Sequence, residues 1–147
     1  MADILHRIGT TTTPDRAYDA LATIDGLAGW WTGDTTGDAT PGGTIKFRFG
    51  SAGGFDMKVL DQRANERIEW EVIDGPEEWI GTHVTFDLKE EDDQTIVLFK
   101  HEGWREPVEF MSHCSTRWAT YLLSLKQFVE TGAGQPHPNE VSISNWT

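Results

Sequence analysis

Apolar residues recur at spacings of three and four along the last long segment of the chain, from Glu106 to Gly132. This spacing places them on one face of an α-helix. Pro107 suits the first helical turn, where a missing N–H costs nothing, and Gly132 suits the left-handed residue that ends a helix. The pattern therefore predicts one long amphipathic helix that needs a large apolar partner. The apolar stripe consists of Phe110, Cys114, Trp118, Tyr121, Leu122, Leu125, Phe128 and Val129.

Before this helix, apolar and polar residues alternate in a series of short segments, as is typical of β-strands with one buried face. Turn-forming pairs such as Gly53-Gly54 and Gly75-Pro76 separate the segments, and connections this short favour antiparallel hairpins. The last segment is apolar on both faces, so its register is ambiguous. The predicted strands are 4–12, 44–49, 55–62, 67–74, 80–90 and 95–101.

After the first predicted strand, the spacing of the apolar residues changes from that of a strand to that of a helix. Thr13 can cap a helix, and Pro14 fits its first turn. One short helix is therefore predicted, followed by a second at 25–30. Residues 32–43 are rich in Gly, Thr and Asp and are predicted to form a loop. The residues that share the apolar face of the first short helix are Ala17, Leu21 and Ile24.

The charge of the chain is strongly acidic. Twelve Lys and Arg against 24 Asp and Glu give a formal net charge of −12 over 147 residues. This charge repels phosphate backbones and anionic lipid, so neither nucleic acid nor a membrane is an expected partner. No stretch approaches the ~20 apolar residues that span a bilayer, and the start lacks the apolar run of a signal peptide. A cytoplasmic protein is predicted.

The length of the chain fits one domain, predicted over residues 1–132 with a C-terminal tail at 133–147. The tail has no hydrophobic period. Val141, Ile143 and Trp146 could dock on the domain, and disorder of the tail is an equal alternative.

Three short sequence segments narrow the choice of fold. They are Leu27-Ala28-Gly29-Trp30-Trp31, His101-Glu102-Gly103-Trp104, and the segment 118–126 followed by Glu130-Thr131-Gly132. In this order of elements the chain resembles the START or SRPBCC superfamily, whose fold is that of the birch pollen allergen. Within it, the chain resembles the branch named after the activator of the heat-shock protein 90 ATPase. The resemblance covers residues 3 to about 132.

The resemblance implies an α+β helix-grip fold, in which a curved antiparallel sheet of about six strands wraps around the long C-terminal helix. Two short helices follow the first strand, and such folds commonly leave a cavity between the sheet and the long helix. Arg117 departs from the family pattern, because many relatives carry Gly before the helix Trp, and its side chain would narrow this space. The superfamily hosts carriers, receptors, cyclases and co-chaperone domains, so the resemblance does not identify an activity.

The inner faces of the strands and the helix stripe bring aromatic and apolar side chains together. Such side chains can fill a core or line a pocket. Two adjacent indoles on a two-turn helix cannot both point inward, so at least one of Trp30 and Trp31 is expected at a rim. The predicted ligand-binding residues are Trp30, Trp31, Phe47, Phe49, Met57, Trp70, Phe86, Phe99, His101, Trp118 and Leu122.

His101 and Glu102, at the end of the last strand, are the best polar candidates. An inward imidazole could orient a ligand or act as a general base, and the alternative is a histidine at the edge of the core that is hydrogen-bonded to the backbone. Histidine and cysteine pairs lack metal-binding spacings, so neither a metal nor a cofactor is expected. Cys114 lies on the apolar stripe and is predicted to be a buried hydrophobe rather than a nucleophile.

Three functional hypotheses follow from these residues. The first is a non-enzymatic binder of an apolar or aromatic small molecule between the sheet and the C-terminal helix. The second is a protein-interaction module like the chaperone-activator domain that the chain resembles, supported by the Trp30-Trp31 pair. The third is a cyclase-like or hydrolase-like enzyme that uses His101 and Glu102. The expected assembly is a monomer or a homodimer.

Overall fold

One antiparallel sheet of seven strands, in the order β1-β7-β6-β5-β4-β3-β2, packs against a long C-terminal helix. The structure is a computed structural model and describes residues 1–146. Thr147, the end of the predicted tail, lies outside the described residues. The strands are β1 Ala2–Thr10, β2 Asp34–Gly37, β3 Thr44–Arg48, β4 Gly54–Arg63, β5 Arg67–Asp74, β6 His83–Glu91 and β7 Gln94–Trp104. The helices are α1 Pro14–Ala22, α2 Ile24–Trp30 and α3 Glu109–Thr131, with 3₁₀ helices at Gly50–Ala52 and Glu77–Trp79.

The long helix α3 confirms the predicted amphipathic element. It begins after Val108, two residues later than Pro107 suggested, and it ends at Gly132. Gly132 has a φ of 90°, and its N–H donates to the carbonyl of Phe128, which closes the last turn. The predicted stripe faces the sheet: Cys114, Trp118, Tyr121, Leu122 and Leu125 are buried, and Phe110, Phe128 and Val129 are partly buried against the same core.

The two short helices lie where the sequence predicts them, and they pack closely on each other. Pro14 occupies the start of α1. Thr23 Oγ1 accepts a 3.0 Å hydrogen bond from the N–H of Gly26 and so caps α2. A Cβ added at Gly26 would lie 2.7 Å from Ala20 Cα, so α2 crosses α1 at a distance that only glycine allows.

Two parts of the sheet differ from the prediction. The segment predicted as a loop contains β2, which pairs with β3 and makes the sheet seven-stranded rather than six-stranded. This edge strand is short and polar, and only Thr35 is buried, so it carries no alternating apolar signal. The strand predicted from Ile80 begins at His83 instead, because residues 77–79 form a 3₁₀ helix before it.

The register of the last strand, ambiguous in the sequence, is settled by its two neighbours. β7 lies between β1 and β6, and Phe99 pairs with Phe86 on the inner face. Val97, Phe99 and His101 are buried, while Lys100 is exposed. The inner face therefore contains His101, as strand alternation predicts.

The tail after α3 docks on the domain, so of the two alternatives for it the structure shows docking. The N–H of His137 donates to the carbonyl of Trp31 at 2.8 Å, and the N–H of Gln135 donates to Ser124 Oγ at 2.8 Å. The docking occurs mainly through hydrogen bonds of residues 135–140. Of the three residues expected to dock, Val141 and Trp146 remain 59% and 48% exposed. Within residues 1–146, none of the helices has the length and apolar character that crossing a lipid bilayer requires.

Candidate ligand-binding pocket

The predicted site residues all lie buried in the space between the sheet and α3. Most of them fill that space by packing on one another. Only Trp31, Phe49 and Trp118 also line a cavity. The eight that belong to the packed core away from the cavity are Trp30, Phe47, Met57, Trp70, Phe86, Phe99, His101 and Leu122.

The expectation that Trp30 or Trp31 lies at a rim is wrong, because the two side chains are 0% and 1% exposed. Their rings stack with centroids 5.5 Å apart and planes inclined by 12°. Trp31, the C-cap residue of α2, packs on Phe47 and Trp118. Trp30 packs on α1 and on Phe86, so neighbours on more than one side of α2 bury both rings. Trp30 Nε1 donates to the carbonyl of Ala20 at 2.8 Å, which satisfies the buried indole.

Trp31 is the centre of the aromatic cluster. Its ring centroid lies 4.2 Å from that of Phe47, 4.8 Å from that of Trp118 and 5.3 Å from that of Phe55. Tilted rings at these distances interact favourably beyond the area that they bury. Trp31 thus connects α2, two neighbouring strands and the long helix, and one side of it faces the cavity.

A cavity of about 250 Å³ opens beside this cluster. It lies between the first half of α3, the two 3₁₀ helices, the start of β4 and the tail. Trp146 of the tail covers one side, with its ring centroid 5.1 Å from that of His113. The lining residues are Trp31, Phe49, Ala52, Gly54, Phe55, Pro76, Trp79, Phe110, His113, Cys114, Arg117, Trp118, Tyr121 and Trp146.

The site selected from the sequence lacked most of this lining. Cys114 and Tyr121 belong to the predicted helix stripe, but a stripe by itself does not show which of its residues line a pocket. Trp79 and Trp146 come from a short connection and from the tail, where no period indicates which face is buried. A large aromatic residue inside a turn-rich connection, as at Trp79, is a signal that could have suggested a buried anchor.

His101 is held by two hydrogen bonds that occupy both ring nitrogens. Trp118 Nε1 can only donate, and it lies 3.1 Å from His101 Nδ1, so Nδ1 is the acceptor and the proton is on Nε2. Nε2 then donates to Thr82 Oγ1 at 2.8 Å, and Thr82 Oγ1 donates to the carbonyl of Trp79 at 2.5 Å. Burial lowers the pKa of His101 to about 3. The imidazole is therefore neutral and has no free nitrogen for a substrate.

Arg117, Tyr121, His137 and Glu140 form a polar cluster where the tail meets α3. Glu140 Oε2 accepts hydrogen bonds from Tyr121 Oη at 2.5 Å and from His137 Nδ1 at 2.7 Å. Burial raises the pKa of Glu140, but the hydrogen bonds and the neighbouring positive charges outweigh burial, and the net shift is downward. Burial and the Glu140 hydrogen bond raise the pKa of Tyr121, which stays a donor.

The thiol of Cys114 is buried in the cavity wall. Burial raises its pKa to about 12, and the nearby indole N–H of Trp79 only partly opposes this effect. The burial of Cys114 confirms the prediction of a buried hydrophobe, and a thiol that stays protonated at neutral pH is a poor nucleophile. Among residues 1–146, no three His, Cys, Asp or Glu side chains converge in a way that could hold a metal ion.

Known proteins of similar sequence and structure agree with this architecture. Residues 11–130 match the family described as activator of Hsp90 ATPase homolog 1-like protein. The Aha1 dimer from Colwellia psychrerythraea, solved in solution, is 46% identical, with a TM-score of 0.84 over 91% of this chain and 100% of that chain. No curated protein sequence matches the chain.

More distant structures share the fold alone. CalU16 from Micromonospora echinospora, solved by NMR, is 20% identical, with a TM-score of 0.78 over 97% of this chain and 74% of that chain. SSP2350 from Staphylococcus saprophyticus is 17% identical, with a TM-score of 0.75 over 90% of this chain and 95% of that chain. The family match, the 46% identity and the helix-grip architecture together show that the chain belongs to the activator of Hsp90 ATPase homolog 1-like family of the SRPBCC superfamily.

Proposed function

We propose that the protein is a non-enzymatic binder of a small apolar or aromatic molecule. The observation that carries this proposal is the aromatic cavity of about 250 Å³ between α3, the 3₁₀ helices and the tail. Pockets that hold drug-sized ligands occupy roughly 300–1,000 Å³. The ligand is therefore expected to be no larger than a small fused-ring system.

Two features of the site support binding rather than catalysis. Both nitrogens of His101 are occupied by the protein, and the thiol of Cys114 is protonated at neutral pH. Glu102, the other residue of the enzymatic alternative, neighbours His101 along β7, so alternation directs its side chain to the opposite face of the sheet. Neither residue named in the enzymatic alternative therefore presents a free acceptor to the cavity. The histidine that does line it, His113, stacks on Phe110 and lies beside Trp146.

The ligand is expected to lie nearer to the tail than the sequence suggested. Of the residues predicted to bind it, Trp31, Phe49 and Trp118 line the cavity, and the others support those three from behind. A ligand there would contact the edges of these rings that face the cavity, together with Phe55 and Phe110.

Thermal stabilisation tests the proposal. A ligand that binds only the native state stabilises it by RT ln(1 + [L]/Kd), roughly 2.7 kcal/mol at a hundredfold excess over Kd. A library of small planar aromatic and apolar compounds, with flavonoids as its largest members, should contain at least one compound that raises the melting temperature. Quenching of tryptophan fluorescence should give the same affinity, because four indoles line the cavity.

A matched pair of variants links the effect to this cavity. Cys114→Phe extends a lining side chain into the cavity, and Leu123→Phe places the same ring on the exposed face of the same helix. The stabilising compound should lose its effect on the first variant and keep it on the second. The proposal fails if no compound raises the melting temperature, or if both variants respond as the unmodified protein does.

Self-association is a second candidate function, favoured by one observation. The Colwellia relative, 46% identical over 91% of this chain, is a dimer. Trp30 and Trp31 are buried, so they cannot form the interaction surface that the sequence suggested. Self-association is therefore supported by the Colwellia relative alone. Native mass spectrometry of gently purified protein should show a dimer if the chain shares that property, and it would also detect a retained small molecule. A monomer at micromolar concentration would contradict it.

A further inference from the structure

The cavity wall carries one charge, and that charge is positive. Within residues 1–146, Arg117 is the charged residue among those that line the cavity, and no Asp or Glu side chain is among them. Most of the other lining residues are apolar or aromatic. An arginine in an apolar wall attracts carboxylates, because low polarity strengthens the interaction and the guanidinium fork matches two carboxylate oxygens.

Arg117 is held in place, yet much of its hydrogen-bonding capacity is unused. Its Nη2 donates to Tyr121 Oη at 2.7 Å, and its guanidinium carbon lies 5.1 Å from the centroid of the Tyr121 ring. Its contact with Glu140 is an ion pair of 3.6 Å, too long for a hydrogen bond. Glu140 already accepts hydrogen bonds from Tyr121 and His137. The guanidinium therefore keeps N–H groups for another acceptor.

The indole N–H of Trp79 is not a second donor for a ligand. Trp79 is 6% exposed and lines the cavity, but its Nε1 is itself buried near the Cys114 thiol and has no hydrogen-bond partner in the described part of the chain. A ligand in the cavity therefore meets Arg117 as the donor of the wall, and Arg117 favours a ligand that brings oxygen acceptors.

We propose that the ligand is a small planar aromatic carboxylate, whose ring lies among Trp31, Phe55 and Trp118 and whose carboxylate binds Arg117. This inference rests on the proposed function and specifies the class of ligand. Aromatic walls favour a planar ring, and the volume of about 250 Å³ limits it to one or two fused rings.

Two probes with the same ring and nearly the same size, one charged and one neutral, test the inference by isothermal titration calorimetry. The probes are 2-naphthoate and its neutral amide, 2-naphthamide. The unmodified protein should bind naphthoate roughly tenfold to a hundredfold more tightly, the usual effect of a hydrogen bond to a charged group. Arg117→Gln should abolish this preference, so that naphthoate binds no more tightly than naphthamide.

Two further variants control for damage to the fold. Arg117→Lys keeps the charge without the fork and should retain part of the preference. Glu140→Gln removes the protein carboxylate that pairs with Arg117 and would compete with the ligand carboxylate for it. This variant should therefore bind naphthoate more tightly and naphthamide with unchanged affinity. Melting curves of each variant establish that it is folded before its affinity is compared.

Each outcome separates this inference from the proposed function. Equal binding of both probes by the unmodified protein would overturn the inference and leave the proposed function standing. A preference for naphthoate that survives Arg117→Gln would also overturn it. Failure of both probes to bind would overturn the inference, whereas the proposed function is decided by the thermal screen and its pair of variants.

Discussion

Trp118 links the packed core to the cavity. Its ring centroid lies 4.5 Å from that of Phe99 and 4.8 Å from that of Trp31, and its Nε1 donates to His101. The same side chain lines the cavity. One residue thus supports the sheet, fixes the tautomer of a buried histidine and forms part of the ligand wall.

Replacing this side chain should be strongly destabilising. We expect Trp118→Ala to lower the free energy of unfolding by roughly 3 to 5 kcal/mol, because it removes a buried large aromatic residue and leaves His101 Nδ1 unpaired. Leu123→Ala, at a position that is 60% exposed on the same helix, should change it by less than about 0.5 kcal/mol. Denaturant melts measure both, and a loss below about 1 kcal/mol for Trp118→Ala would show that the residue is not part of the core.

His101 should make stability depend on pH. Its pKa falls from 6.5 to about 3 on folding because of burial, so between these values the unfolded chain binds a proton that the folded protein does not. The stabilisation is complete above pH 6.5 and is lost as the pH falls toward 3, by up to about 1.4 kcal/mol per pH unit. His101→Gln should show a flatter dependence in denaturant melts between neutral pH and about pH 5. Equal slopes in the two proteins would contradict this assignment.

For single residues, the sequence predicted which face a side chain lies on better than which other side chains it contacts. Strand alternation placed His101 on the inner face, and the helix period placed Trp118 opposite the sheet. The partner Thr82 follows a 3₁₀ helix that has no periodic signal, so the hydrogen-bond network could not be predicted. The burial of both Trp30 and Trp31 depends on how α1, α3 and the sheet enclose α2, and the local sequence pattern does not show this enclosure.

Helix α2 packs closely against both α1 and α3, and a glycine lies at each contact. A Cβ at Gly26 would lie 2.7 Å from the backbone of Ala20. A Cβ at Gly29 would lie 2.6 Å from Cζ of the Phe128 ring. The first obstacle is backbone and cannot move without displacing α1, whereas the second is the end of a side chain.

The two alanine substitutions should therefore differ. Alanine is intrinsically favoured over glycine inside a helix by roughly 1 kcal/mol. We nevertheless expect Gly26→Ala to destabilise the protein by about 1 to 3 kcal/mol through overpacking, and Gly29→Ala to cost clearly less because Phe128 can rotate. Chemical denaturation of the pair provides the comparison, and equal losses would argue against the backbone contact between α1 and α2.

Helices and strands in which apolar residues recur at regular spacing could be predicted from the sequence, and segments without such spacing could not. The helix α3 and the strands β3 to β7 follow their apolar pattern, apart from a few terminal residues. The edge strand β2 is held by backbone pairing with β3, and the tail is held by polar contacts around Glu140. Neither kind of contact leaves an apolar period in the sequence, and the cavity lies where such segments meet.

For the whole molecule, a net charge of −12 limits the partners that the surface can attract. We expect neither DNA nor RNA to bind by counterion release, because the acidic surface repels phosphate. Filter binding at low salt tests this expectation. Submicromolar retention of either nucleic acid would contradict it, and a basic protein of similar size provides the positive control.

The dense packing of indoles has a spectroscopic consequence. Trp30 and Trp31 stack with planes inclined by 12°, as do Trp79 and Trp118, whose centroids are 5.9 Å apart. Chromophores this close share their electronic excitation, so they should give an exciton couplet in far-ultraviolet circular dichroism. The couplet would overlap the helix band, and helix contents calculated from the spectrum would be distorted. It would also disappear when the rings separate even if the helices persist, so the spectrum reports the integrity of the core directly.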